Sequence, residues 1–129
     1  MIIRNSSDLV RAYFAYGPPK VAAWVDFLPE DFVIRILTNH FKIEFAVIFT
    51  NRNTGYHIYT GRSSYVEIPI SNVEILLKHS HPMGTPHPSK ADHDWLVLAQ
   101  SIGSPQKQSV ILPHRRERVS FRISTPFLT

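Results

Sequence analysis

Apolar positions along this chain change period several times, and each change predicts an element. Leu9, Val10, Tyr13 and Phe14 recur at helical spacing behind Ser6-Ser7-Asp8, which can cap a helix; Gly17-Pro18-Pro19 ends it. A second short helix is expected from Lys20 to Leu28, closed by Pro29. Phe32 to Phe41 fits a helix or a buried strand, and the helix is preferred. The period then shortens. Ile43 to Thr50 is apolar and β-branched, as strands tend to be. Asn51-Arg52-Asn53-Thr54-Gly55 is a turn, and Tyr56 to Thr60 would pair back as a hairpin.

Tyr65 to Ile70 alternates, with Tyr65, Glu67 and Pro69 on one side and Val66, Ile68 and Ile70 on the other. It therefore reads as a further strand. Glu74 to His81 is expected to be a strand too, and its continuous apolar centre, Ile75-Leu76-Leu77, suggests cover on both faces. A Pro-rich loop from Pro82 to Pro88 leads to a helix from Ser89 to about Ile102, with Ala91, Trp95, Leu98, Ala99 and Ile102 at helical spacing. Gly103-Ser104-Pro105 stops it. Strands from Gln108 to Leu112 and Arg118 to Ile123 finish the chain, joined by the basic turn His114-Arg115-Arg116-Glu117. This order predicts an α/β fold, a mixed sheet sandwiched by helices. One domain over 1–129 is expected, with a helical N-terminal part (1–41) and a core (42–129).

Composition narrows the chemistry. There is no Cys, so disulfides and thiolate metal sites are excluded, and a metal would need His and carboxylate ligands. The net charge of +4 permits contact with nucleic acid, but the margin is small, and a charge-driven nucleic-acid role is the minor expectation. Arg115, Arg116 and Arg118 read as a solvated turn, with phosphate contact as the lesser reading. Apolar runs are too short for a membrane helix, so no membrane partner is expected. The start, Met1-Ile2-Ile3-Arg4-Asn5, lacks the apolar stretch of a signal peptide. A cytoplasmic location is expected, or delivery into a target cell within a larger protein.

The segment that carries chemistry is His79-Ser80-His81-Pro82, followed by Pro88-Ser89-Lys90-Ala91-Asp92. Side chains two apart on a strand share a face, so His79 and His81 can converge while Ser80 turns away. The seven residues between His81 and Ser89 can bring the next helix over the strand end, with Asp92 in its first turn. Two imidazoles and a carboxylate form a catalytic zinc set with a fourth position for water. Each half has a plainer explanation. His-x-His alone is a weak signal, and Ser89-x-x-Asp92 alone is a helix capping box. Their combination at one place favours a metal site.

His79-x-His81-x7-Ser89-x2-Asp92 resembles the signature of the JAB/MPN metalloenzymes, the JAMM motif. Pro82 matches the Pro that usually follows the second His. His-Ser-His-Pro-Met-Gly and Pro-Ser-x-x-Asp also resemble the RadC branch. The likeness spans Ile43 to Ile123. It implies a layout similar to the cytidine deaminase fold, one Zn²⁺ ion on His79, His81 and Asp92, and Ser89 helping to stabilise an oxyanion. It further implies a separate upstream Glu as general base. The candidates are Glu30, Glu44, Glu67 and Glu74. Glu74 lies an odd number of residues from His79, which turns it to the opposite face. Glu67 reads as a solvent carboxylate and Glu30 as a helix start. Glu44, at the head of an apolar strand, is where the family places its base; the plain alternative is a strand-end charge facing water.

The sequence departs from the family in three ways. Leu77-Lys78 replaces the aromatic that often precedes the His pair in eukaryotic members, the link from Gly61 to His79 is too short for the helix found there in RadC-like chains, and there is no room for the ubiquitin-binding insertions of eukaryotic members. The expected activity is zinc-dependent hydrolysis of a peptide or isopeptide bond. Its partner would be a protein or peptide substrate, such as a ubiquitin-like conjugate. An alternative keeps the fold as a JAB-type effector domain of a secreted toxin, with an inhibitor or immunity protein as partner, or as a RadC-like nucleic-acid-associated domain. A third is a metal-free binding module.

Overall fold

The computed structural model describes residues 2–50, 55–82, 86–113 and 117–126. Its elements are α1 (Ser6–Tyr16), β1 (Ala22–Val25), α2 (Asp31–Phe41), β2 (Phe45–Thr50), β3 (Gly55–Thr60), β4 (Ile75–His81), α3 (Lys90–Ser101), β5 (Ser109–Pro113) and β6 (Val119–Phe121). The six strands form one mixed sheet in the order β1-β3-β2-β4-β5-β6. All neighbours are antiparallel except β4 and β5, which run parallel and are linked by α3. Parallel neighbours need such a crossover, and here the helix supplies it. No described helix is long and apolar enough to cross a membrane.

Helices cover both faces. Leu9 and Tyr13 of α1 and Val33, Ile34 and Leu37 of α2 pack on Phe45, Val47, Ile58, Val110 and Leu112. On the other face, Trp95 of α3 meets the cluster of Ala46, Ile48 and Leu76, and Leu96 meets Ile111 and Phe121. Alternate residues of β2 and of β5 thus serve opposite cores, as the two-residue period of a strand requires.

Several expectations need correction. The segment 20–28 is not a helix: Ala22–Val25 is an edge strand paired with β3, from Ala22 opposite Tyr59 to Val25 opposite Tyr56. The span between Pro19 and Pro29 is short for a helix, and its alternation suits an edge: Ala23 and Val25 face the core while Trp24 is outward and exposed. The N-terminal part is therefore helical only in α1 and α2, and it also supplies a strand. The cap of α1 is Asn5, whose side chain accepts from the Asp8 amide at 2.9 Å.

Tyr65 to Ile70 is not a strand either. It keeps the expected alternation, with Val66 and Ile68 packed inward on Ala46, Ile48 and Leu76. It joins no ladder; Pro69 has no N–H to offer, and the Ile68 carbonyl is taken by the Trp95 indole N–H at 3.0 Å. The basic turn at 114–116 lies outside the described residues, but Arg118 does not. Its guanidinium grips Asp31 with two hydrogen bonds, at 2.8 and 2.9 Å. It is therefore an ion-paired charge whose side chain stays 54% exposed.

β4 is interrupted. Val47 pairs with Lys78 and Ile48 with Leu76, so Leu77 is an extra residue, a β-bulge. Leu77 packs in the α1/α2 core, whereas Leu76 serves the α3 side. The apolar run is covered on both faces, as expected, but through a bulge as well as alternation.

Candidate metal centre

His79 and His81 close β4 and are buried, at 2% and 5% exposure. Ser80, between them, faces the other way, with its Oγ 2.6 Å from Thr38 Oγ1. Ser80 Oγ also accepts from the Phe45 amide at 3.0 Å, which ties the start of β2 to the end of β4. Ala46 stands directly opposite His79, a small neighbour that leaves space beside the imidazole.

Asp92 arrives from α3. Ser89 caps that helix, its Oγ accepting from the Asp92 amide at 3.1 Å while Asp92 Oδ2 accepts from the Ser89 amide at 2.9 Å. The capping box is present, and it leaves Asp92 facing both imidazoles. Asp92 Oδ1 lies 3.1 Å from His79 Nε2, and Oδ2 lies 3.2 Å from His81 Nε2. The two Nε2 atoms are 3.1 Å apart. The three predicted ligands therefore meet.

Donors about 2.0–2.1 Å from a tetrahedral cation stand roughly 3.3 Å apart, close to this triangle. Protons fit it less well. Each Nε2 faces both the other ring nitrogen and a carboxylate oxygen, and a ring nitrogen carries one hydrogen or one lone pair, not both. The donor set thus fits a cation. The support behind it is thinner, because His79 Nδ1 is buried without a hydrogen-bond partner among the described residues. Metal-ligating imidazoles usually have an acceptor there.

Glu44 completes the cluster. Its carboxylate and the two imidazoles have ligand atoms within 4.8 Å of one another, so Glu44, His79 and His81 form a second buried set able to hold a metal ion. It is 7% exposed and does not face bulk water. Burial pushes its carboxyl up to about 7, against the pull of His79 and His81, and the negative Asp92 adds to the rise. Burial acts on Asp92 in the same direction, but hydrogen bonds from both imidazoles outweigh it and hold Asp92 well below the ordinary range.

The backbone fixes Glu44 from several sides. α2 ends at Lys42 in the left-handed region, φ 60°, which turns the chain into Ile43 and Glu44. The Glu44 amide donates to the Arg62 carbonyl, and the Gly61 amide donates to the Glu44 carbonyl, both at 2.8 Å. A Cβ on Gly61 would lie 2.8 Å from the Glu44 carbonyl oxygen and 2.6 Å from that of Tyr65. Gly61 is thus required by close approach. The orientation of Ser80 follows from strand alternation, but its partners Thr38 and Phe45, and the close approach of Gly61 to Glu44, bring together residues far apart along the chain and leave no local signal.

Among the other candidates, Glu30 and Glu67 are exposed. The alternation argument against Glu74 does not hold across the Leu77 bulge. Glu74 is instead removed by distance: it precedes β4, and five residues of strand span about 15 Å. His93 points away, with its Nε2 2.9 Å from the Ile123 carbonyl oxygen. No protein-family model, curated protein or solved structure matches this chain.

From the centre a cleft of about 390 Å³ opens between α3 and the 64–70 segment, with Glu44, His79, Ser89 and Asp92 at one end. A larger hollow of about 560 Å³, beside Lys20, Thr60 and Arg62, contains none of these groups. Size alone would therefore mislead here, since the clustered donor groups line the smaller cavity.

Proposed function

We propose that this chain is a metal-dependent hydrolase of the JAB/MPN type, RadC-like branch, cleaving a peptide or isopeptide bond with one zinc ion. The observation that carries the reading is the triangle of His79 Nε2, His81 Nε2 and an Asp92 carboxylate with sides of 3.1–3.2 Å. A second carboxylate, Glu44, is buried beside it. Of the two acidic groups, Asp92 touches both imidazoles and is assigned as ligand. Glu44 is assigned as base.

Zinc bound there would act as a Lewis acid and make a water ligand acidic enough to attack at neutral pH. Glu44 takes the proton from the attacking water and passes it to the leaving amine. The Ser89 hydroxyl already accepts from the Asp92 amide, but its own hydrogen remains to be donated. It lines the cleft and can point that hydrogen at the developing oxyanion. The Ser80–Phe45 and Gly61–Glu44 hydrogen bonds hold base and ligands in register. A His₂Asp set would also accept other divalent ions, so the metal bound is decided by availability as well as by the site.

Metal analysis and calorimetry on purified protein test this. One zinc per chain is expected, with affinity reduced ~100-fold or more in Asp92→Asn, at least the loss typical of a supporting residue. Wild-type protein that takes up no divalent cation would refute the proposal.

A further inference from the structure

The cleft that starts at the metal donors is polar at that end and apolar beyond it. Val66, Ile68 and Ile70 form one wall, Leu76 the floor, and Trp95 and Leu98 the other wall. Three features define what fits. Its volume, about 390 Å³, falls within the range of ~300–1,000 Å³ typical of small-molecule sites. The Trp95 indole N–H is already committed to the Ile68 carbonyl at 3.0 Å, so the ring turns only carbon toward the cleft, and the bond ties the two walls together. The charged groups that line it, Glu44, Asp92 and Asp94, are all acidic, and Asp94 is drawn to Lys90 at 2.7 Å. An acidic side chain would meet repulsion, and a small one would leave apolar surface wet.

We infer that this cleft is a specificity pocket for a large apolar side chain, such as Phe or Leu, on the residue next to the amide presented to the metal donors. The inference rests on the hydrolase reading for its reaction, but the pocket itself can be tested without it. Substrates are then peptides with a bulky apolar residue at the cut. A glycine-rich linkage would leave the pocket empty. Burying an aliphatic or aromatic side chain here adds binding in proportion to the apolar area removed from water.

The chain has only two tryptophans, which makes the test direct. Trp95 lines the pocket, and Trp24 sits on the edge strand β1, outside it. ¹⁵N-labelled, zinc-free protein is titrated with N-acetylphenylalaninamide, N-acetylglycinamide and N-acetylaspartamide while both indole resonances are followed. The phenylalanine probe should shift the Trp95 signal, leave Trp24 still, and bind at least tenfold more tightly than the other two. Leu98→Lys alters an exposed lip residue, 52% exposed, and should weaken that binding at least fivefold while both indole signals keep their native dispersion. An unmoved Trp95 signal, equal binding of the three probes, or an effect centred on Trp24 would overturn the inference. Peptide libraries incubated with zinc-loaded protein separate the two claims. Cleavage without preference for apolar residues removes the pocket and leaves the hydrolase. Selective probe binding with no cleavage of any peptide removes the hydrolase and leaves the pocket.

Discussion

Two charged clusters lie back to back on β4. On the α2 side, the buried Lys78 ammonium donates to Asp31 at 2.7 Å and to the Pro29 carbonyl at 2.6 Å, and Arg118 grips the same Asp31. On the α3 side, His79, His81, Asp92 and Glu44 crowd together with no Lys or Arg among the residues that form the cluster. The first cluster gives its buried ammonium a carboxylate partner of its own, Asp31, and joins α2 and β4 to the residue just before β6. The second gathers electron-pair donors beside a cleft, and a cation from outside would balance it. Burial alone does not separate a structural ion pair from a candidate metal site; here the two differ in whether a Lys or Arg stands among the buried groups. Buried charges need compensation in either case.

The largest expected effect tests the reactive side. If the chain is the proposed hydrolase, Glu44→Gln keeps the shape and removes the base, so peptide hydrolysis should fall by ~10²–10⁴-fold while zinc content stays at wild-type level. Parallel assays of turnover and bound metal check this. Retained activity would return Glu44 to a merely structural role.

Next in size is a pair of changes on the ion-paired side. Asp31→Ala leaves the buried Lys78 ammonium with the Pro29 carbonyl as its remaining hydrogen-bond partner among the described residues. Leaving a charge of this kind uncompensated costs about 3 kcal/mol, read as a shift in denaturant midpoint. Lys78→Met replaces the cation by an apolar chain of similar length, and Asp31 keeps Arg118. Its cost should stay below ~1.5 kcal/mol. If the two variants lost equal stability, the contrast between the clusters would fail.

The smallest effect is one of pH. Burial raises the Asp31 carboxyl, but hydrogen bonds from Arg118 and Lys78 outweigh it and bring it from 3.8 down to about 2. Between those values the unfolded chain binds more protons than the folded one. The contribution is therefore complete above pH 3.8 and is lost as pH falls toward about 2. Wild type should lose stability across that window more steeply than Asp31→Asn, measured by urea unfolding at stepped pH.

The sequence made much of this legible where the signal is local. The period of Phe32 to Phe41, the hairpin around Gly55, and the Ser89 cap all follow from neighbouring residues, and so does the convergence of His79 and His81 on one strand face. Asp92 was found because its helix start is marked by its own cap. What stayed hidden depends on partners far along the chain. Ala22–Val25 is a strand because β3 offers an open edge. Tyr65–Ile70 has a strand's pattern but no ladder. Lys78 is buried because Asp31, 47 positions earlier, receives it. The bulge is invisible in Ile75-Leu76-Leu77, since three apolar residues read alike whether or not one is extra.

That extra residue has a consequence for how the protein could change over time. With Leu77 outside the pairing scheme, β4 is geared to β2 in two independent sections. The stretch ending in the imidazoles could be retuned by substitutions near it without re-phasing the stretch that anchors the interior. A lineage could alter its chemistry at one end of this strand while its foundations at the other stay put.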